Sequence, residues 1–334
     1  MRLSSLEGLS SFALLGPGFG RGPWLLVTDL RETSGETTLV YSPFESGGLE
    51  PRRLRGVVQP VDLELDVVAR PIGVRLPTEG YHQAVARIRE AIAAGDVYQV
   101  CHCLLAPIEP AGGAQVLALM CRRGIPRFAA WVRLPWGEEL VSASPELFFE
   151  TRGRRIRSEP MKGTAAPGAT AALLASEKDR AELAMITDLV RNDLAQVCRP
   201  RSVHVSCERR LVELSYALQA VSDVEGELAT GATALEALAA LHPGGSVTGA
   251  PKGAALAMIR ELEQGPRGAY CGALGLLTAN RATFALLIRT AATTGHGWTY
   301  GVGSGIVYDS DADAELEELR TKVGALLCPT PSSS

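Results

Sequence analysis

Short apolar runs and longer helical stretches follow one another in this chain without the strand–helix–strand alternation of a parallel sheet, and that missing rhythm most constrains the fold. Strands that are not joined by helical crossovers pair antiparallel through turns, so the expectation is an α+β fold. Trp24 to Val27 and Thr38 to Tyr41 are apolar runs broken by Gly and Pro, and they read as hairpins. Residues 45–56 read as a loop. After Thr78, Val85, Ile88 and Ile92 recur at helical spacing and Gly95 ends the helix. Val97 to Val100, Trp131 to Leu134 and Leu147 to Glu150 read as strands. A long helix runs from about Ser176 to Leu194 with Leu183, Ile186, Val190 and Leu194 on one face, and Ala232 to Leu241 is helical. The last third alternates strands with Gly-rich turns at 243–253, 265–275 and 300–307. A final helix from about Asp311 carries Leu316, Leu319, Val323 and Leu327 as its stripe. No repeat or linker splits the chain. Residues 1–65 read as a β-rich region packed on a core of 66–328, with 329–334 a disordered tail.

Composition narrows the function. A net charge of −4 leaves no basic footprint for nucleic acid. No segment has the pattern of a signal peptide, and no apolar run approaches the ~18–20 residues of a membrane span. Seven cysteines without CxxC spacing favour free thiols in the cytoplasm. These features suit a cytosolic enzyme or enzyme subunit.

Four lysines stand against 29 arginines, and one is Lys162 in Pro160-Met161-Lys162-Gly163-Thr164. An amine can become a nucleophile and a guanidinium cannot, although a G- and C-rich genome also depletes lysine. The run Gly16 to Gly22 lacks dinucleotide-loop spacing and leads into Pro23-Trp24, so a turn is expected. Gly244 to Lys252 fails as a phosphate loop because Pro251 takes the place of a glycine. Its glycines and hydroxyls, Ser246 among them, still suit a backbone that approaches an anion. Glu315, Glu318 and Lys322 form one stripe on the last helix, and a solvated Glu318–Lys322 pair is one reading of it. If Glu182 faced Glu315 and Glu318, the three carboxylates would suit Mg²⁺.

Taken in order, several motifs resemble the chorismate-utilising enzymes, most of all the synthase component of aminodeoxychorismate synthase. They are Gly95 to Val100, Ser144-Pro145-Glu146, Pro160 to Thr164, Glu177 to Leu194, Pro243 to Lys252, Arg267 to Gly272, Ile288-Arg289-Thr290, and Gly303 to Val307 with the helix that follows. The resemblance spans roughly 75–328. It implies antiparallel sheets packed on each other with helices outside. It implies Mg²⁺ at Glu182 and Glu318 with Glu315 adjacent, holding the ring carboxylate of chorismate. Arg289 and Tyr270 would take the enolpyruvyl carboxylate, and the backbone around Gly303, Ser304 and Gly305 would touch the ring carboxylate. Gly163, Thr164, Ser246 and Lys322 would complete the substrate site.

Two positions discriminate within the resemblance. Members that add water have a lysine where this chain has Gln99, whereas users of ammonia have glutamine. Anthranilate synthases resemble Pro-Ile-Ala-Gly-Thr at the central motif, and Lys162 matches the aminodeoxychorismate synthases. The implied chemistry is attack by Lys162 on ring C2, protonation of the departing C4 hydroxyl by Glu146, and addition of ammonia at C4. A separate glutamine amidotransferase subunit would supply the ammonia, for p-aminobenzoate and folate. Three departures stand out. Gln219 replaces a histidine that could carry a proton, Pro167 replaces an arginine, and the amino-terminal region is short. The alternatives are anthranilate synthase, a secondary-metabolism chorismate aminase and a non-catalytic chorismate-binding paralogue.

Overall fold

The computed structural model describes all residues except 21–23, 111, 166–167, 215–216, 296 and 327–334. Four strands come first: β1 Phe12–Leu15, β2 Trp24–Glu32, β3 Leu39–Ser42 and β4 Arg52–Val61. Next are α1 Tyr81–Ala94, β5 Gln99–Ile108, α2 Gly113–Cys121, β6 Phe128–Arg133, β7 Glu139–Ser144, β8 Leu147–Arg152, β9 Arg155–Ser158 and β10 Met161–Ala165. The middle of the chain holds α3 Thr170–Ala175, α4 Glu177–Ala195, β11 His204–Leu214, β12 Ala217–Glu227 and α5 Ala234–Leu241. The chain finishes with β13 Gly249–Ala250, α6 Lys252–Leu262, β14 Ala273–Thr278, β15 Arg281–Leu286, β16 Thr290–Thr294, β17 Gly297–Ile306 and α7 Ala312–Leu326.

The strands join into one curled network, antiparallel throughout. Strands of the first 65 residues are part of it: β1 pairs with β6 and β3 with β14. Two apolar clusters explain why the runs are continuous instead of alternating. In β6, Ala129 and Trp131 turn to a cluster shared with the helices, while Phe128, Ala130 and Val132 turn to one built from strands and their connections. The second cluster, with Leu15, Val27, Leu39, Tyr41, Leu140 and Leu274, is the interior where sheet faces meet. The helices cover the outside, as an α+β fold of packed antiparallel sheets requires. Among the described residues no helix is long and apolar enough to cross a membrane.

The helices follow local sequence. Gly95 closes α1 at φ 84°. Ser176 caps α4 by accepting from the Asp179 amide, and Leu183, Ile186, Val190 and Leu194 are its buried stripe. Thr233 and Glu236 form a capping box on α5. Two loop expectations fail. Residues 52–56 belong to β4, and 300–306 are strand, not turn. The first failed because turn-like Gly, Pro and charged residues lead straight into a strand whose pairing, with β3 at 52–54 and with β2 at 54–61, leaves no local signal. In the second, glycines serve close packing within β17. Leu327, Pro167 and the 329–334 tail lie outside the described residues.

Candidate active site

Four segments converge on one end of the β5–β17 pair. Lys162 sits in β10, where a bulge at Gly163, at φ 74°, shifts the register against β12. A side chain on Gly163 would press on Asp179 of α4, so the bulge lets β10 approach that helix. Lys162 Nζ lies 3.9 Å from Glu182 of α4. Across from it is Gln99, 1 % exposed. Neither polar atom of its amide has a hydrogen-bond partner among the described residues. Gly305 of β17 separates the two groups. A Cβ there would stand 2.3 Å from Gln99 Nε2 and 3.3 Å from Lys162 Nζ. An orphaned buried amide near an amine, with no side chain between them at Gly305, suits a polar ligand.

Glu146 fills the tight connection between β7 and β8. Its amide donates to Ser144 Oγ, and that hydroxyl donates to Leu286 O. Ser246 Oγ donates to Glu146 Oε1 at 3.1 Å. Burial pushes the Glu146 carboxyl up to about 8, against the opposing pull of Ser246, Lys162 and Arg289. At neutral pH burial thus favours the carboxylic acid over the carboxylate. Arg289, at φ 53°, lies within the fields of Glu146 and of Tyr300. Burial raises the Tyr300 phenol well above its usual value.

The free edge of β17 supplies amides. Cys101 N donates to Thr248 O and Cys103 N to a Glu263 carboxylate, so neither donates to β17. Their register partners Gly305 and Gly303 therefore direct their own N–H groups away from β5. Lys322 Nζ donates to Gly303 O at 2.9 Å on that edge and pairs with Glu318 at 2.6 Å. The Glu318–Lys322 pair expected of a solvated stripe thus forms, and its lysine also reaches the site strand.

Other expected residues are placed differently. Ser304 turns its hydroxyl to Tyr81 of α1, 3.2 Å away, because successive side chains of β17 alternate faces. Tyr270 packs on the bare Gly301 and is buried. Gln219 pairs with Thr164 and is buried on β12. Glu315 accepts from Ser310 Oγ at 2.7 Å, which ties it to the start of α7. The expected metal triad is not assembled: among the described residues no three acidic, His or Cys side chains are gathered for a metal ion. Glu182 and Glu318 instead meet the 303–305 stretch, each through a lysine. Two carboxylates beside an edge of outward-directed amides suit a hard ion completed by ligand and water, not a closed protein cage.

Sequence reasoning passed over Tyr300 and Tyr81. Nothing in their spacing distinguishes a buried phenol that meets a polar partner from an ordinary core aromatic.

The profile of the chorismate binding enzymes matches residues 43–328. An anthranilate synthase component 1 of Haloarcula marismortui is 40 % identical over 75 % of this chain and 53 % of its own length. An aminodeoxychorismate synthase of Streptomyces pristinaespiralis is 38 % identical over 74 % of this chain and 36 % of its own. The chain thus spans about half or less of these curated relatives. The menaquinone-specific isochorismate synthase of Escherichia coli superposes with a TM-score of 0.78 at 18 % identity, covering 98 % of this chain and 91 % of that one.

Proposed function

This chain belongs to the chorismate-binding enzymes, and from that premise we propose that it is the synthase component of an aminodeoxychorismate synthase. It would convert chorismate and ammonia to 4-amino-4-deoxychorismate, for p-aminobenzoate and folate. The observation that carries this reading is Lys162, which stands near the orphaned Gln99 amide, with no side chain between them at Gly305, in a site where burial favours the carboxylic acid at neutral pH.

In the proposed chemistry the Lys162 nitrogen attacks ring C2 through its lone pair. Both ring double bonds shift, C1=C2 to C1=C6 and C5=C6 to C4=C5, the C4–O bond breaks, and Glu146 protonates the departing hydroxyl so that it leaves as water. The Glu146 carboxylate then takes a proton as ammonia adds at C4 and the C2–N bond to Lys162 breaks, which restores both groups. The Gln99 amide, whose Nε2 lies on the Gly305 side, would hydrogen-bond the amine or the incoming ammonia. Arg289 supplies a fork for a substrate carboxylate, and the Gly303 and Gly305 amides supply donors for a second. Mg²⁺, held by Glu182 and Glu318 together with the substrate, would neutralise and orient the dianion. Gln219 cannot shuttle a proton, so Glu146 would carry the proton traffic alone. The ammonia would come from a separate glutamine amidotransferase.

The 40 % identical relative named as an anthranilate synthase keeps a second reading in play. Purified chain incubated with chorismate, Mg²⁺ and ammonium should form aminodeoxychorismate, identified by chromatography. Lys162→Ala should cut turnover by about a hundredfold or more while chorismate still binds. Anthranilate as the product would overturn the assignment, and tight binding without turnover would point to a non-catalytic paralogue.

A further inference from the structure

Beneath the site lies an ion pair that the chemistry above does not use. Arg267 and Glu263 have side chains 1 % and 6 % exposed, with Nη2 2.6 Å from Oε1 and Nε 2.8 Å from Oε2. The remaining guanidinium hydrogen bonds go to backbone. Nη1 donates to Val247 O at 2.6 Å and Nη2 to Cys101 O at 2.7 Å. Glu263 Oε1 also accepts from the Cys103 amide at 2.9 Å. The pair therefore fastens β5, two residues beyond Gln99, to the 245–247 turn, one residue beyond Ser246. That turn is what delivers Ser246 Oγ to Glu146. A buried ion pair adds little net stability over an apolar replacement, whereas a fork with fixed donor directions sets geometry.

We propose that the Arg267–Glu263 pair is a positioning device for the acid, holding the Ser246 turn so that its hydroxyl stays bonded to Glu146. This deepens the reading of Glu146 as the acid and rests on it. The charged groups that act on Glu146 are Lys162 of β10 and Arg289 between β15 and β16, and both favour its carboxylate, as does Ser246. Loss of the Ser246 hydrogen bond therefore leaves burial less opposed and moves the carboxyl to higher pH.

Infrared titration of the Glu146 carboxyl in the free protein, identified by subtraction of Glu146→Gln, reads this directly. Ser246→Ala should raise the midpoint by about half a pH unit or more, a roughly threefold change in the acid-to-carboxylate ratio. Arg267→Lys should raise it in the same direction, and the double variant should go no further. Glu263→Gln carries the test if Arg267→Lys does not fold. The proposal fails if Ser246→Ala leaves the midpoint in place, if the folded Arg267 or Glu263 variants do, or if the two shifts add. The alkaline limb of kcat, measured at constant free ammonia, should follow the infrared midpoint. If the midpoint moves and turnover does not, the positioning role stands and the acid role of Glu146 falls.

Discussion

At the residue scale, Glu146 is a carboxyl that burial moves far from its behaviour in water. Burial raises its carboxyl from the ordinary 4.5 to about 8, so between those values the folded chain keeps a proton that the unfolded chain has released. Its contribution to stability is fully present below 4.5 and is lost as pH rises through 8. Stability should fall over that interval by up to about 1.4 kcal/mol per pH unit from this group. Glu146→Gln, which cannot ionise, should remove that slope and be the more stable protein at pH 9. Urea midpoints across pH for both proteins check it, and parallel slopes would show that the carboxyl ionises freely. Lys162 stood out in the sequence because chemistry restricts residue type and the chain holds so few lysines, and the structure puts it beside Glu182 and Gly305. Arg267 stood inside a recognised motif, yet its task was hidden, because a buried guanidinium that clamps carbonyls looks the same in sequence as a surface one.

At the element scale, β17 holds the clearest divergence between sequence pattern and structure. Gly301, Gly303 and Gly305 face the same way. A Cβ at Gly301 would stand 2.0 Å from the Tyr270 ring, one at Gly303 2.5 Å from Cys103 Sγ, and one at Gly305 2.3 Å from the Gln99 amide. None of the three has the positive φ of a turn glycine. Glycine density alone cannot tell a turn from a strand stripped of side chains so that others may approach, which is why 300–307 reads as a turn. Helices α1, α4, α5 and α7 were legible because a 3.6-residue stripe and a cap are local signals. The glycine positions should separate under mutation. Gly301→Ala forces a rigid ring out of a packed core and should cost roughly 1–3 kcal/mol, seen as a lower melting temperature. Gly305→Ala intrudes between Gln99 and Lys162, so turnover should fall about tenfold or more with a smaller change in melting temperature. If both variants lost stability equally and Gly305→Ala kept full turnover, the gap at Gly305 would be packing alone.

At the scale of the whole molecule, fold class was legible because it depends on what the chain lacks, a βαβ rhythm. Which strand meets which was not. Ala13 pairs with Val132 and Leu274 with Tyr41, and such distant registers are set by matched faces of the finished sheet, not by any local signal. This topology bears on the role of the first 65 residues. Leu15 of β1, Val27 and Leu30 of β2, Leu39 and Tyr41 of β3 and Leu54 of β4 share one interior with Phe128, Leu140, Leu274 and Leu276. Removing residues 1–65 deletes these six buried side chains, with Ala13 and Phe19, from that interior, and each of the six contributes about 1.5–3 kcal/mol through burial. It also strips β6 and β14 of their partners along one edge. The loss is of the same size as the roughly 5–15 kcal/mol by which folded domains are usually stable, and it leaves apolar edges open to aggregation. A chain beginning at residue 66 should therefore be aggregated or lack cooperative unfolding by circular dichroism, and adding a separate 1–65 peptide at high concentration should recover part of the native signal. If the shortened chain melted cooperatively and bound chorismate as the full chain does, the strand-lined interior would be dispensable, and the core would end at the faces that the helices cover.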